Sequence, residues 1–103
     1  MHGRMARYRY TGDAHELARR AEEGMLPIFE SQSGFKGYSL FDAGDEIVSL
    51  SAWESAADAA AAGSLAAAWV AENMSELELQ ESRLGEFLFS TTLGVTTKTG
   101  STA

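Results

Sequence analysis

Four stretches of the chain alternate between apolar and polar residues or are rich in strand-forming side chains, and this pattern predicts four β-strands. The predicted strands are Arg4–Tyr10, Phe35–Phe41, Glu46–Trp53 and Glu78–Ser90. The second and third are separated only by Asp42–Asp45, where Gly44 permits a tight turn, so we expect them to pair as a hairpin. Within the fourth, Gly85 indicates a bulge or bend.

A helical period begins after the first strand. Leu17, Ala21, Met25 and Ile28 recur at intervals of four, four and three, which predicts an amphipathic helix to about Ser31. Asp13 is a suitable N-cap, and Glu16 stands where a capping-box partner belongs. Within the helix, Pro27 is expected to kink or end the last turns.

A second helical region follows Trp53. Ser55 is predicted to cap an alanine-rich helix to about Ala62, Gly63 to break it, and Ser64 to cap a further segment to about Leu77. One side of that segment is expected to face the core. Its residues are Leu65, Trp69, Val70, Asn73 and Leu77.

The predicted order β-α-β-β-α-β indicates an α+β, ferredoxin-like fold, with a four-stranded antiparallel sheet and the helices on one face. The other sheet face would be bare, and so small a domain should not expose a large apolar face. We therefore expect a homodimer in which two sheets pack face to face. Residues 1–90 form the single predicted domain. The Thr- and Gly-rich tail, residues 91–103, has little to bury alone and is expected to lie on the partner subunit.

Charge and composition narrow the function. The chain has 8 Lys and Arg against 15 Asp and Glu, a net charge of −7, which argues against nucleic-acid and anionic-membrane partners. Cysteine is absent, and the two histidines, His2 and His15, have no carboxylates at ligand spacing, so no metal site is predicted. No apolar run approaches the roughly 20 residues of a membrane-spanning helix. A soluble, cytoplasmic protein is expected.

Three local features resemble the antibiotic biosynthesis monooxygenase (ABM) family of dimeric α/β barrels. Ser33–Tyr38, with the sequence Ser-Gly-Phe-Lys-Gly-Tyr, is similar to the Pro-Gly-Phe-x-Gly motif at the family's second strand. Val48–Ser55 is similar to its strand ending in Trp-Glu-Ser, and the alanine-rich helix, glycine and second helix follow in the same order. The resemblance covers roughly Arg4–Ser90 and implies a dimeric ferredoxin-like barrel.

The same resemblance suggests a chemistry. Family members that oxidise aromatic or quinol substrates use neither metal nor flavin, because an electron-rich substrate anion reduces oxygen directly in a dry pocket. By resemblance, Trp53 corresponds to the pocket tryptophan, and Ser49 stands where an asparagine is often found. The haem-degrading branch uses a tryptophan and a histidine on the second helical segment. Here that segment has Trp69 but no histidine, so haem degradation is not expected.

Nine residues are candidates for the site. Trp53, Ser49, Arg7 and Arg9 are the catalytic candidates, whereas Trp69, Asn73, Tyr8, Tyr38 and His15 are candidates for substrate binding. The two arginines would stabilise an anionic substrate, and the aromatic residues would form the walls of the pocket. Each candidate also has a structural alternative. The arginines can pair with glutamates of the last strand or at the dimer interface, the tryptophans and tyrosines can pack in the core, and His15 can lie on the surface.

Two functions remain open on these grounds. The first is a cofactor-independent monooxygenase acting on an aromatic, polyketide-like or quinol substrate. The second is a non-catalytic dimeric module that binds a small apolar ligand or a protein partner. A cavity with two or more convergent polar groups would favour the enzyme, and a purely apolar cavity would favour the module.

Overall fold

A computed structural model describes residues 1–97 of the chain and confirms the predicted order of elements. The strands are β1 (His2–Tyr10), β2 (Phe35–Asp42), β3 (Glu46–Trp53) and β4 (Leu77–Glu86), and the helices are α1 (Ala14–Glu30) and α2 (Ala56–Asn73). The four strands form one antiparallel sheet in the order β2-β3-β1-β4. Both helices pack on the same face, so the ferredoxin-like α+β prediction is confirmed.

The strand connections follow the local sequence. In the predicted hairpin between β2 and β3, Ala43 N–H donates to the carbonyl of Glu46 at 2.8 Å, and Gly44 has a φ of +103° that L-residues rarely adopt. A register shift in the pairing of β1 with β4 lies between Arg7 and Tyr8 rather than at Gly85, where the sequence indicated it.

Both helices begin at the predicted caps. Asp13 accepts a hydrogen bond from the backbone N–H of His15 at 3.1 Å, and Ser55 accepts one from that of Asp58 at the same distance. Glu16 pairs with Arg19 instead of closing a capping box. Because α1 runs unbroken to Glu30, the proline within it does not end the helix.

Two predictions about α2 are wrong. The helix is continuous through Gly63. This glycine lies over the side chain of Arg4, where a Cβ would come within 3.0 Å of Nε. The glycine therefore serves close packing rather than a helix break. Asn73 is exposed and its Nδ2 donates to the carbonyl of Trp69 at 2.9 Å, so it does not face the core.

The core fills the space between the helices and the sheet. At one end, Met25 and Phe29 of α1 pack with Trp53 and with three alanines of α2. At the other, Leu17, Ile47 and Met74 form a second cluster.

The helix-free face of the sheet is partly covered by the chain itself. After β4, which ends at Glu86 and not at the predicted Ser90, the ring of Phe87 lies on Gly3, and Leu93 approaches Gly37. A bridge between Ser90 and Val95 closes this segment into a small turn. Leu93 thus lies near its own sheet, the position of the tail on a partner stays a prediction, and residues 98–103 lie outside the described part.

Candidate functional site

A cavity of about 30 Å³ lies between the helix-facing side of the sheet and the two helices. Most of its wall is apolar, with contributions from Leu17, Met25, Phe29 and Met74. Four polar side chains reach the same space: Arg4, Tyr8, Tyr38 and Ser49. This is the mixed lining, apolar with a few convergent polar groups, that is typical of small-molecule sites.

Strand geometry brings these four side chains together. Arg4 and Tyr8 lie on β1 with only Ala6 between them on that face, and Ala6 is opposite Ser49 on β3. Tyr38 lies on β2 and pairs with Ser51 of β3. On its other side, Ser51 pairs with Arg4 of β1. Three adjacent strands therefore direct polar groups toward one point, and the small Ala6 leaves space among them.

The polar side chains that line the cavity have no hydrogen-bond partner among the described residues. Arg4 is 4% exposed, Tyr8 is 6% exposed and Ser49 is 5% exposed. Within residues 1–97, none of these side chains, nor that of Tyr38, forms a hydrogen bond or ion pair with another residue. In the same part of the chain, the one fully enclosed side-chain polar atom without a partner is His2 Nδ1, so the polar atoms of these four residues still reach the open space of the cavity or solvent. Their arrangement therefore suits hydrogen bonding to a bound molecule.

Burial raises the pKa of Tyr38. Loss of solvent raises the pKa of its phenol to about 12, with a further increase from Tyr8, and the positive charge of Arg4 partly offsets this rise. The hydroxyl is therefore protonated at neutral pH. It can donate a hydrogen bond to an anionic oxygen, but it is not a base.

The two tryptophans have different positions. Trp53 is fully buried outside the cavity lining, its Nε1 donates to Ser51 Oγ at 2.9 Å, and its ring meets Phe29 edge-on at 5.2 Å. Trp69 lines the cavity and packs against Gly24 of α1. Among the tryptophans proposed from the sequence, only Trp69 thus reaches the space where a ligand would bind.

The two arginines proposed from the sequence lie on the opposite face of the sheet. Arg7 forms ion pairs with Glu46 and Glu81, each at 2.9 Å, and Arg9 lies 3.8 Å from Glu78. The structure thus shows the ion-pair alternative. Neither cation can reach a molecule in the cavity, because the sheet itself separates them.

The remaining candidates also lie outside the cavity. His15 is exposed on the first turn of α1, and Asn73 is exposed near the end of α2. Within the part of the chain that the structure describes, no cluster of three or more His, Cys, Asp or Glu could hold a metal. No helix in that part is long and apolar enough to cross a membrane.

Arg4 is the site residue that sequence reasoning missed. The alternation of the first strand places it on the same side as Ala6, Tyr8 and Tyr10, which is the side that packs against the helices. A cation on the apolar side of a strand was a signal available in the sequence. The adjacent pair Arg7 and Arg9 drew attention instead.

Comparison with known proteins places this arrangement among solved folds. No protein-family model and no curated protein sequence matches the chain. Several solved structures are similar to the chain in fold. A mutant form of SnoaB, a cofactor-independent oxygenase from Streptomyces nogalater, aligns with a TM-score of 0.67 at 16% identity, over 87% of this chain and 95% of its own.

Two further structures are similar. MupZ from Pseudomonas fluorescens aligns with a TM-score of 0.67 at 10% identity, over 81% of this chain, which spans only 65% of MupZ. A mutant form of MhuD, with two manganese protoporphyrin IX molecules bound per active site, aligns with a TM-score of 0.61 at 15% identity, over 88% of this chain and 98% of its own. As the sequence resemblance predicted, the chain has the fold of antibiotic biosynthesis monooxygenase-like proteins.

Proposed function

We propose that this protein is a cofactor-independent oxygenase that binds an electron-rich hydroxy-aromatic molecule between the sheet and the helices. The observation that carries the proposal is the convergence of three unpaired hydroxyls, those of Tyr8, Tyr38 and Ser49, on a mostly apolar cavity that Arg4 also borders. Several polar groups converging on one cavity favour an enzyme over a purely apolar binding module. The similarity to SnoaB adds support by analogy.

The hydroxyls would stabilise charge on the substrate oxygen. An ionised phenol or enol is a better electron donor to oxygen than its neutral form. Donors fixed in a cavity that excludes water favour the ion more than the same donors do in bulk solvent. A tyrosine hydroxyl is protonated at neutral pH, and burial raises the pKa of Tyr38 further, to about 12, so its hydroxyl is available as a donor. The ring of Trp69 supplies an apolar wall.

The reaction balances without a further reductant. A methylene flanked by hydroxy-aromatic rings loses two hydrogens, and dioxygen supplies one oxygen atom to the new carbonyl. The other oxygen atom leaves as water with the two hydrogens. The substrate is the reductant and oxygen the oxidant, so the protein needs only to bind, orient and polarise the substrate.

Substrate binding requires the cavity to widen. A fused aromatic molecule is larger than about 30 Å³, so α1 and α2 must separate to admit it. Trp69, which is partly exposed and contacts Gly24 of α1, lies where such an opening would occur. A closed form that opens for its ligand is consistent with a minor conformation selected by binding.

Oxygen uptake with 1,8-dihydroxyanthrone tests the proposal. The expected result is consumption of one oxygen per anthraquinone formed, above the uncatalysed rate. Tyr38→Phe should lower kcat/KM by about 10²-fold, which is typical for loss of one donor to a developing oxyanion. Tyr10→Phe is the matched control, because its hydroxyl bonds to Asp42 at 3.1 Å outside the cavity and its loss should leave the rate unchanged.

A non-catalytic binding module is the second candidate. The cavity lining within residues 1–97 contains no histidine or carboxylate that could act as a base. Binding of the anthraquinone without oxygen uptake from the anthrone would favour this module. Binding and breakdown of hemin would instead favour the porphyrin chemistry suggested by the similarity to MhuD.

We also propose that the protein forms a homodimer through the helix-free face of the sheet. Phe41 is 51% exposed on this face and Leu50 is 42% exposed, and Leu50 lines a hollow there together with Phe87. Apolar side chains gathered on one exposed sheet face are typical of subunit contacts. Light scattering after size-exclusion chromatography would measure the mass, and a monomer at micromolar concentration would contradict the proposal.

A further inference from the structure

A surface groove of about 320 Å³ runs between α2 and β4, on the far side of Arg4 from the aromatic end of the core. Ala60, Gly63, Ser64 and Ala67 form its helix wall, whereas Leu79, Ser82 and Leu84 form its strand wall. Leu79 is 49% exposed and Leu84 is 53% exposed. The groove is open to solvent, and its walls are apolar apart from Ser64 and Ser82.

The guanidinium of Arg4 lies at the floor of this groove. Its side chain borders both the groove and the internal cavity, so the two spaces share this one residue. Gly63 keeps the floor open, because a Cβ there would lie 3.0 Å from Nε and 3.2 Å from Cδ of Arg4. Small residues at this turn of α2 therefore let a molecule in the groove approach the cation.

Arg4 has no partner of its own. Within residues 1–97 it forms no ion pair and no side-chain hydrogen bond, although it is only 4% exposed. Most other arginines of the chain contrast with it, since Arg7, Arg19 and Arg20 each contact a carboxylate within 3 Å. A largely buried cation without a partner has lost hydration and gained no ion pair, so a carboxylate that reached it would supply the missing interaction.

We propose that the groove between α2 and β4 binds an apolar molecule that carries a carboxylate, with the carboxylate on Arg4 and the apolar part along Leu79 and Leu84. A carboxylate is ionised at neutral pH, and its two oxygens match the planar fork of a guanidinium. The hydroxyls of Ser64 and Ser82 line the same groove and supply the polar rim. This site goes beyond the proposed oxygenase function and does not depend on it.

Isothermal titration calorimetry with two probes tests the site. 2-Naphthoate represents flat aromatic acids and decanoate represents aliphatic acids, while 2-naphthamide and decanamide are their uncharged counterparts. At least one acid should bind, and its amide should bind at least tenfold more weakly. Whichever acid binds more tightly shows whether the groove prefers a flat aromatic or an extended aliphatic part.

Two matched variants separate the role of Arg4 from general charge. Arg4→Met and Arg9→Met each remove one cation, but Arg9 lies on the opposite face with its side chain largely exposed. Arg4→Met should raise the Kd of the acid at least tenfold, whereas Arg9→Met should change it less than twofold. Arg4→Lys, which keeps the charge and loses the fork, should give an intermediate Kd.

Several results would overturn the proposal. These are failure of both acids to bind at millimolar concentration, equal binding of acid and amide, and an unchanged Kd in folded Arg4→Met. The melting temperature of each variant shows that it is folded. Because oxygen uptake is not used as a readout, the carboxylate site and the oxygenase proposal fail independently.

Discussion

Replacement of Arg4 by methionine is predicted to stabilise the protein in the absence of ligand. The side chain is 4% exposed and lacks a partner among the described residues, so folding removes most of the hydration of a cation without a compensating ion pair. Methionine has a similar length and no charge. Replacing a buried ion pair by well-packed apolar side chains is neutral to stabilising by about 1–4 kcal/mol, and Arg4 lacks even the attraction of a paired carboxylate. Because Arg4 borders the cavity and an open groove, we expect about 1–2 kcal/mol, the lower part of that range.

Urea denaturation followed by circular dichroism at pH 7 would measure this change. In a thermal melt of a domain of about this size, a change of 1 kcal/mol in the free energy of unfolding would shift Tm by about 4–8 °C. Arg9→Met is the control, because it alters the net charge equally at an exposed position and should change stability by less than about 0.5 kcal/mol. If Arg4→Met were less stable than the parent protein by about 1 kcal/mol or more, the guanidinium would be a structural group and the reasoning about an unpaired cation would be refuted.

Three other substitutions test the account. Ser51→Ala removes the acceptor of the buried Trp53 Nε1 and should cost about 1–3 kcal/mol in urea denaturation, whereas no loss would mean that the indole is satisfied elsewhere. Glu81 has a pKa lowered chiefly by a hydrogen bond from Arg83, so its stabilising effect is present above about pH 4.5 and is lost as pH falls through the lower folded-state value. Glu81→Gln should therefore be less stable than the parent at pH 7, with the difference disappearing in melting curves recorded at pH values below that lowered pKa. Leu50→Glu, on the exposed helix-free face, should convert the proposed dimer to a monomer in light-scattering measurements, and an unchanged mass would place the interface elsewhere.

The fold could be predicted because local signals agreed with one another. Asp13 and Ser55 cap the helices as their types suggest, and Gly44 turns the hairpin. The period of two along β1 and β3 fixes which residues face the helices. The predicted helix break at Gly63 was wrong. It relied on the low helix propensity of glycine, which is a local property, whereas the close contact of Gly63 with Arg4 depends on tertiary packing.

The site was less predictable because its members come from three strands. Tyr8, Tyr38 and Ser49 could be proposed from their residue types, and the structure brings these three together. The resemblance singled out Trp53, whose indole instead bonds to a serine two residues away on the same strand face. Contacts of this kind depend on register between strands and on side-chain rotamers, which composition and spacing do not specify.

The path of the chain after β4 was also beyond the sequence pattern. Thr- and Gly-rich composition gives no periodic signal, so the return of Phe87 and Leu93 across the sheet was not predicted. The row of small residues they cover is formed by Gly3, Ala52 and Gly37, which come from three different strands and adjoin only in the paired sheet. Such a surface becomes visible only when the register is known.

The central claim is that the hydroxyls of Tyr8, Tyr38 and Ser49 hold the oxygen of a bound aromatic molecule. A crystal structure of the protein with 1,8-dihydroxyanthraquinone, the product of the proposed reaction, tests it most directly. The account predicts the rings between sheet and helices, with a ligand oxygen within hydrogen-bonding distance of the Tyr38 hydroxyl and Ser49 Oγ. A saturated crystal with the ligand only on the helix-free face, or with the cavity unchanged, would contradict it.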